Sequence, residues 1–577
     1  MSYDLVIKNG RIVDGTGAPP YIADVAVAGD RIARIGPTEA ADGTLLIDAG
    51  GKYVVPGFID PHSHADCSAF LYPDCESYLR QGITTFIGGQ CGDSNAPIYT
   101  YWMRKYWEYD MWEDIDPFVY NPRTIQEVNR VIDVVQARTG HRIGWRSFAE
   151  YREVVEQVGI GCNMITLAGH SQIRADVMGF DQARPPSRDE MERIKGHVEE
   201  AMASGAWGIS TGRDYPPSAY AAFDEICELA AYVERLGGCY FTHWRRTGPR
   251  IGTPKKPNKL EGIGEALEVA LRTGVKTQIS HLATGFEIYP EDPRMDACAA
   301  ETTLAFIDEF VARGADAAFD VIPGTSGGIA THPYLASFLM PWVKQSGSLS
   351  HFARNLQARD YREMLVSILR RGEWYAINPI ANPAWERKIF VTAGPGDCVG
   401  KSIGEIARLR ARDPLETVMD LLAETPRIMV MKRDKSDAEI AGLLRHPRGF
   451  VCTDTYAFDL VGIYGHNGEF PELLPHPHTY CAFPKYILTY GMDTFEETIH
   501  KITGAPAAFL GIEGRGTIKE GHCADILVMD PDRLATNEDY IEPRRYPEGI
   551  DQVIVNGVVA VDPRGFTGKR PGRVLAR

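Results

Sequence analysis

Positive charge is in deficit: Lys and Arg total 61 against 77 Asp and Glu, a net charge of −16. That balance argues against binding a nucleic-acid backbone as the main activity, and it favours solubility. Long hydrophobic runs are missing. No uninterrupted apolar stretch reaches the ~20 residues needed to span a bilayer, so no membrane partner is expected. The opening Met1-Ser2-Tyr3-Asp4-Leu5-Val6 lacks a basic segment ahead of an apolar one, so no signal peptide is expected. Cysteine is scarce, and its 11 copies are dispersed and odd in number, unlike a secreted disulfide framework. Reduced, mostly buried thiols in a cytoplasmic protein are the expectation. No internal repeat or low-complexity tract is evident, which sets solenoids aside.

What is present suits a folded soluble chain, with 44% hydrophobic and 24% charged residues. At 577 residues it exceeds one small core and calls for two domains or a large barrel with additions. The N-terminal segment alternates in short strands: Tyr3 to Asn9, Arg11 to Asp14, Ile22 to Val27, Arg31 to Ile35 and Thr44 to Asp48. The C-terminal segment has the same texture. We therefore expect a small β-sandwich built from 1–54 plus 518–577. Between them, 55–517 reads strand, helix, strand, helix, the pattern of an α/β fold with a (β/α)8 TIM-like barrel. Expected helices include Asp189 to Ser204, Phe223 to Leu236 and Gly262 to Arg272. Two stretches exceed ordinary connections, near 95–151 and 325–448, and both leave strand ends where they would wall or cover a site. The first is rich in Trp and Tyr (Tyr99, Tyr101, Trp102, Tyr106, Trp107) and suits substrate lining as well as an aromatic satellite core or an oligomer contact.

Isolated metal-type ligands close several of the β-type runs. His62 and His64 follow Tyr53 to Asp60, Cys91 follows Gly82 to Ile87, His243 follows Cys239 to Thr242, and His281 follows Val275 to Ser280. Asp454 follows Gly449 to Thr453. Taken singly each is a weak signal, since a lone His or Cys is more often a packed core residue. Together they gain force, because a barrel gathers its strand ends on one face. Alternation along a strand puts His62 and His64 on one side. Glycines around Cys91, in Gly88-Gly89-Gln90-Cys91-Gly92, allow a tight turn. Thiolate and imidazole suit zinc, and one sulfur can bridge two ions.

These motifs resemble the amidohydrolase superfamily, and within it the N-acyl-D-amino-acid deacylase (D-aminoacylase) branch. The resemblance runs through Leu5 to Gly15, Pro56 to His64, Gly88 to Gly92, Gly169 to Arg174, Gly208 to Pro217, Gly549 to Gly557 and Arg570 to Arg573. It implies a tight zinc ion at Cys91, His243 and His281, a second, weaker site at His62, His64 and Cys91, and Asp454 as the catalytic acid–base residue. Many relatives carry a carboxylated Lys as bridging ligand; here the fourth expected strand ends Gly208-Ile209-Ser210-Thr211-Gly212, without one. The implied reaction is zinc-dependent hydrolysis of an amide-type C–N bond in a small molecule.

The departures cluster in substrate recognition. The branch's His-His-Lys reads His281-Leu282-Ala283, its His-Pro-Arg reads His476-Pro477-His478, its Arg-Asp-Glu becomes Arg245-Arg246-Thr247, and its Tyr-Pro-Tyr becomes Ile322-Pro323-Gly324. The Lys and Arg that would clamp a substrate carboxylate are thus replaced. Candidate substrate contacts are Tyr215, Arg174, Arg213, Arg245 and His478. The expectation is a retained reaction on a changed substrate. The alternatives are a cyclic-amide hydrolase of the hydantoinase or dihydroorotase type, a hydrolytic deaminase, or a catalytically inactive barrel that serves as a binding module.

Overall fold

The computed structural model describes residues 3–39, 44–70, 72–97, 136–137, 140–179, 183–214, 217–246, 259–286, 288–327, 334–371, 380, 384–460 and 475–577. The chain opens with β1 (Leu5–Ile12), β2 (Tyr21–Ala28), β3 (Arg31–Ile35), β4 (Leu45–Asp48) and β5 (Tyr53–Pro56). The stretch expected as two strands, Tyr3 to Asn9 and Arg11 to Asp14, is the single strand β1. Its register shifts between Ile7 and Gly10, and Asn9 adopts φ 60°. A left-handed residue inside a strand makes a bulge rather than a break.

At Gly57 the chain passes from β5 to β6 (Phe58–Asp60); a Cβ there would lie 2.1 Å from Thr84 Oγ1. The body continues with β7 (Ile83–Ile87), β8 (Asn163–Ile165), β9 (Ala168–Gly169), β10 (Gly208–Gly212), β11 (Cys239–His243), β12 (Lys276–Ile279) and β13 (Ala317–Val321). After β14 (Ile389–Ala393) and β15 (Met429–Lys432) comes β16 (Gly449–Val451). The C-terminal strands are β17 (Ile526–Met529), β18 (Ile550–Val555), β19 (Val558–Asp562) and β20 (Gly565–Phe566).

Two parallel sheets form the body, β6-β7-β8 and β9-β10-β11-β12-β13-β16. Backbone bonds join them at both seams. Trp207 N–H donates to Thr166 and Leu167 N–H to Gly88, while Asp454 N–H donates to His62 at 3.0 Å and His64 N–H to Thr455 at 2.9 Å. Asp60 reinforces the second seam by accepting Thr453 N–H at 3.2 Å and Thr453 Oγ1–H at 2.6 Å. The run Cys162 to His170, expected as one strand, is broken into β8 and β9, and His170 begins a helix through Met178.

Helices lie between successive strands, with boundaries set by local chemistry. Arg188–Ala203 starts at Ser187, which accepts Glu190 N–H while the Glu190 carboxylate accepts Ser187 N–H, a reciprocal cap. Its buried stripe Met191, Ile194, Val198 and Ala201 recurs every three or four residues. Phe223–Arg235 and Lys259–Thr273 occupy the other expected positions.

Both chain ends enter one nine-stranded mixed sheet, ordered β20-β19-β18-β17-β5-β1-β2-β3 with β4 beside β1. The expected sandwich is met only in the partnership of the two termini; the hydrogen bonding is that of one continuous sheet. Alternation sends Ile526 and Val528 into a cluster with Leu5, Ile7, Val25 and Ile554, and sends Leu527 and Met529 into the core of the body. Edge strand β3 also bridges back to Cys523, just ahead of β17. The long connection between β13 and β16 builds its own core, including Leu339, Trp342, Phe352, Val391, Val418 and Leu422. The aromatic residues at 99–112, read from sequence as substrate lining, a satellite core or an oligomer contact, lie outside the described residues.

Candidate metal centre

The ends of β6, β7, β11, β12 and β16 deliver the predicted ligands to one place. Cys91 Sγ stands 3.5 Å from His62 Nε2, 3.7 Å from His243 Nδ1 and 3.6 Å from His281 Nε2. Asp454 Oδ1 lies 3.3 Å from both His62 Nε2 and His64 Nε2. Two groups result, His62-His64-Cys91-Asp454 and Cys91-His243-His281, each with its donor atoms within 4.8 Å of one another. Cys91 belongs to both.

The backbone is bent to achieve this. Cys91, His281 and Asp454 all have positive φ, at 57°, 35° and 52°. Non-glycine residues in that region cost of order 1 kcal/mol or more each, and such strain gathers at functional sites. The turn holding Cys91 needs its flanking glycines: a Cβ on Gly89 would lie 2.4 Å from Leu167 O, and one on Gly92 would lie 2.5 Å from Gly212 N.

Carboxylates orient the imidazoles. Asp214 Oδ2 lies 3.1 Å from His243 Nε2, which leaves Nδ1 facing Cys91. Asp320 Oδ1 lies 3.4 Å from His62 Nδ1, and its carboxylate accepts His281 N–H and Gln278 Nε2–H, each at 2.6 Å. Neither Asp was singled out from sequence. The available signal was an acidic residue inside the apolar run Ala317 to Ile322 and another inside Gly208 to Pro217. Carboxylate-to-histidine contacts of this kind fix tautomer and ring orientation in metal sites.

The electrostatics of the cluster favour positive charge. Burial opposes protonation of His62, but Asp320 and Cys91 outweigh it and hold the imidazole well above its ordinary value. Burial likewise opposes the Cys91 thiolate, yet His62, His243 and His281 bring it well below the usual thiol range. Asp454 is kept well below ordinary carboxylates: burial works against this, and His281, His62 and His64 prevail. His281 is pushed down to about 4, by burial first and then by the charge of Arg246. A divalent cation satisfies the same preference, and the thiolate-plus-imidazole donor set fits zinc. Asp454 Oδ2 is buried and finds no hydrogen-bond partner among the described residues.

The predicted substrate contacts are placed differently. Arg174 is fully buried and gives Nε to Glu225 at 2.8 Å and Nη2 to the Arg184 carbonyl at 2.8 Å. Arg213 gives Nε to Glu265 at 2.6 Å and its Nη groups to the carbonyls of Ser218 and Ala221. Arg245 gives Nε to Glu265 at 3.2 Å. His478 is buried, its ring stacked on His476 with centroids 5.2 Å apart; burial and then His476 keep it well below the ordinary imidazole value. Tyr215 lies outside the described residues.

Comparison with known proteins agrees in fold and in family. The model of the Amidohydrolase family matches residues 45–238 and 392–561, well over half of the chain. A D-aminoacylase from Alcaligenes xylosoxydans xylosoxydans is 28% identical over 580 residues, covering 100% of this chain and 98% of its own length. An N-acyl-D-glutamate deacylase from the same organism is 28% identical over 578 residues, covering 100% and 96%. A solved D-aminoacylase, studied for the role of its binuclear metal centre in one-metal activation and second-metal attenuation, superposes with a TM-score of 0.69. It is 26% identical, with both chains covered completely.

Proposed function

Because the chain belongs to the amidohydrolase family, we propose that it is a zinc-dependent hydrolase that cleaves an amide-type C–N bond, acting on N-acyl amino acids or related small amides. The observation that carries this reading is the thiol of Cys91 within 3.7 Å of three imidazoles, with Asp454 against two of the histidines. Cys91, His243 and His281 would hold the tighter ion, and His62, His64 and Cys91 would hold a second. Zinc bound there would supply electrophilic activation of the amide carbonyl and acidification of water.

Asp454 is the proton carrier. Its Oδ1 is engaged by His62 and His64, so the unpartnered Oδ2 takes the proton of the attacking water and hands it to the departing nitrogen. The neutral amine leaves more readily than an amide anion, which is why the same carboxylate must serve twice. Asp320 and Asp214 keep His62 and His243 in the orientation the cluster requires. The two parallel sheets of the body, joined at both seams and with β8 and β9 taking one strand position between them, support a closed barrel over 55–517, with 1–54 plus 518–577 as a terminal unit packed against it. The dispersed and odd-numbered set of 11 cysteines supports a cytoplasmic location.

The test pairs metal analysis of the purified protein with a turnover screen of N-acyl amino acids of both hands, peptides and cyclic amides. One or two bound divalent ions and hydrolysis of open-chain N-acyl compounds are expected. Faster opening of cyclic amides would replace this reading with the hydantoinase type. A protein that binds no divalent ion and turns over nothing is a binding module.

A further inference from the structure

The chain segment after β11 carries two arginines in different surroundings. Arg245 and Arg213 share the carboxylate of Glu265. Arg246 is held by its backbone instead: its N–H donates to both oxygens of Asp214, at 3.2 and 3.4 Å. The same buried carboxylate contacts His243 Nε2 at 3.1 Å. One anion therefore fixes both a metal ligand and the chain at residue 246. The Arg246 side chain is 20% exposed, and its Nε is 4.0 Å from Asp214, beyond hydrogen-bond reach. Among the described residues no side-chain hydrogen bond engages this guanidinium.

A guanidinium offers five donors in a planar fork that matches a carboxylate. Among the described residues the other candidate positions are committed to protein acceptors or carry no cation, with Arg245 tied to Glu265 through Nε. Arg174 and Arg213 have their N–H groups taken by protein acceptors, residue 283 is alanine, and residue 478 is a buried imidazole stacked on another. On the amide-hydrolase reading above, we infer that Arg246 receives a carboxylate carried by the amine half of the substrate, so that the anion is read from the β11 side of the centre and not from positions 283 and 478.

The experiment uses the zinc-loaded full chain and matched pairs of compounds: N-acetyl amino acids of both hands and the same molecules as C-terminal carboxamides. The wild type should favour the acid over the carboxamide by about tenfold or more in kcat/KM, the scale of a charge-assisted hydrogen bond. Arg246→Met should shrink that ratio at least about tenfold, mainly through KM for the acid, and Arg246→Lys should restore part of it. Should the Met variant not fold, Arg246→Lys alone reads the ratio, expected severalfold below wild type. Two outcomes overturn the assignment: a wild type that prefers the carboxamide, or variants that lose acid and carboxamide turnover in equal proportion. Failure of the wild type to hydrolyse either compound overturns the amide-hydrolase reading and this assignment with it, whereas hydrolysis with an unchanged ratio removes only the role of Arg246.

Discussion

Two groups of buried polar residues sit near one another and differ in how their charges are balanced. In the group around Arg174, every charge has a protein counterpart: Glu225 takes Arg174 Nε at 2.8 Å and faces His170 Nε2 at 3.2 Å. In the group around Cys91, three imidazoles face one sulfur, Asp454 keeps an unpartnered buried oxygen, and three backbone sites are strained. A buried charge that is fully paired contributes specificity to the fold. A cluster of donors converging on a shared centre is unfinished without a further group. The same residue types thus serve scaffold or chemistry according to whether the protein itself completes their bonding.

Substitutions on either side sharpen the contrast. The largest effect is expected at Asp454. Asp454→Asn should cut kcat by roughly 10²–10⁴-fold with zinc content unchanged, as checked by elemental analysis beside the assay. Full turnover in a folded, zinc-bound variant would remove the proton-carrier role. Glu225→Gln should act on stability instead, by about 3–5 kcal/mol in urea unfolding, because Arg174 Nε and His170 lose the buried carboxylate they share. Its folded, zinc-loaded fraction should keep a kcat near wild type. A collapse in kcat without loss of stability would move Arg174 to the substrate side.

Acid sensitivity follows from the same carboxylate. Burial works against ionisation of Glu225, but bonds from His170 and Arg174 bring it from 4.5 down to about 2. A depressed carboxylate stabilises the fold fully above its unfolded value. That contribution, on the order of 3 kcal/mol, fades as pH falls from 4.5 towards 2. The pH dependence of unfolding free energy should therefore be flatter over that window in Glu225→Gln than in wild type. The smallest change is expected at Ser187→Ala, which removes half of a reciprocal helix cap and should cost about 1 kcal/mol in the same unfolding assay.

The run ends that carry His62, His64, Cys91, His243, His281 and Asp454 were legible because strand alternation and flanking glycines are local properties. The helices expected at Asp189 to Ser204, Phe223 to Leu236 and Gly262 to Arg272 were legible from apolar residues recurring every three or four positions, and the third begins earlier, at Lys259. Other features were decided by the tertiary structure. Asn9 in a left-handed conformation turned two expected strands into one bulged strand, and the positive φ values at Cys91, His281 and Asp454 arise from converging strand ends. The partners of Arg174 and Arg213 lie 51 and 52 residues further along, on helices whose approach no local pattern encodes. By itself the sequence determined which residue types would end the strands and so the chemistry on offer. Only the packing of distant elements decided which charges are neutralised internally and which stay open to a ligand, because an ion pair depends on a few ångströms of separation that long-range contacts set.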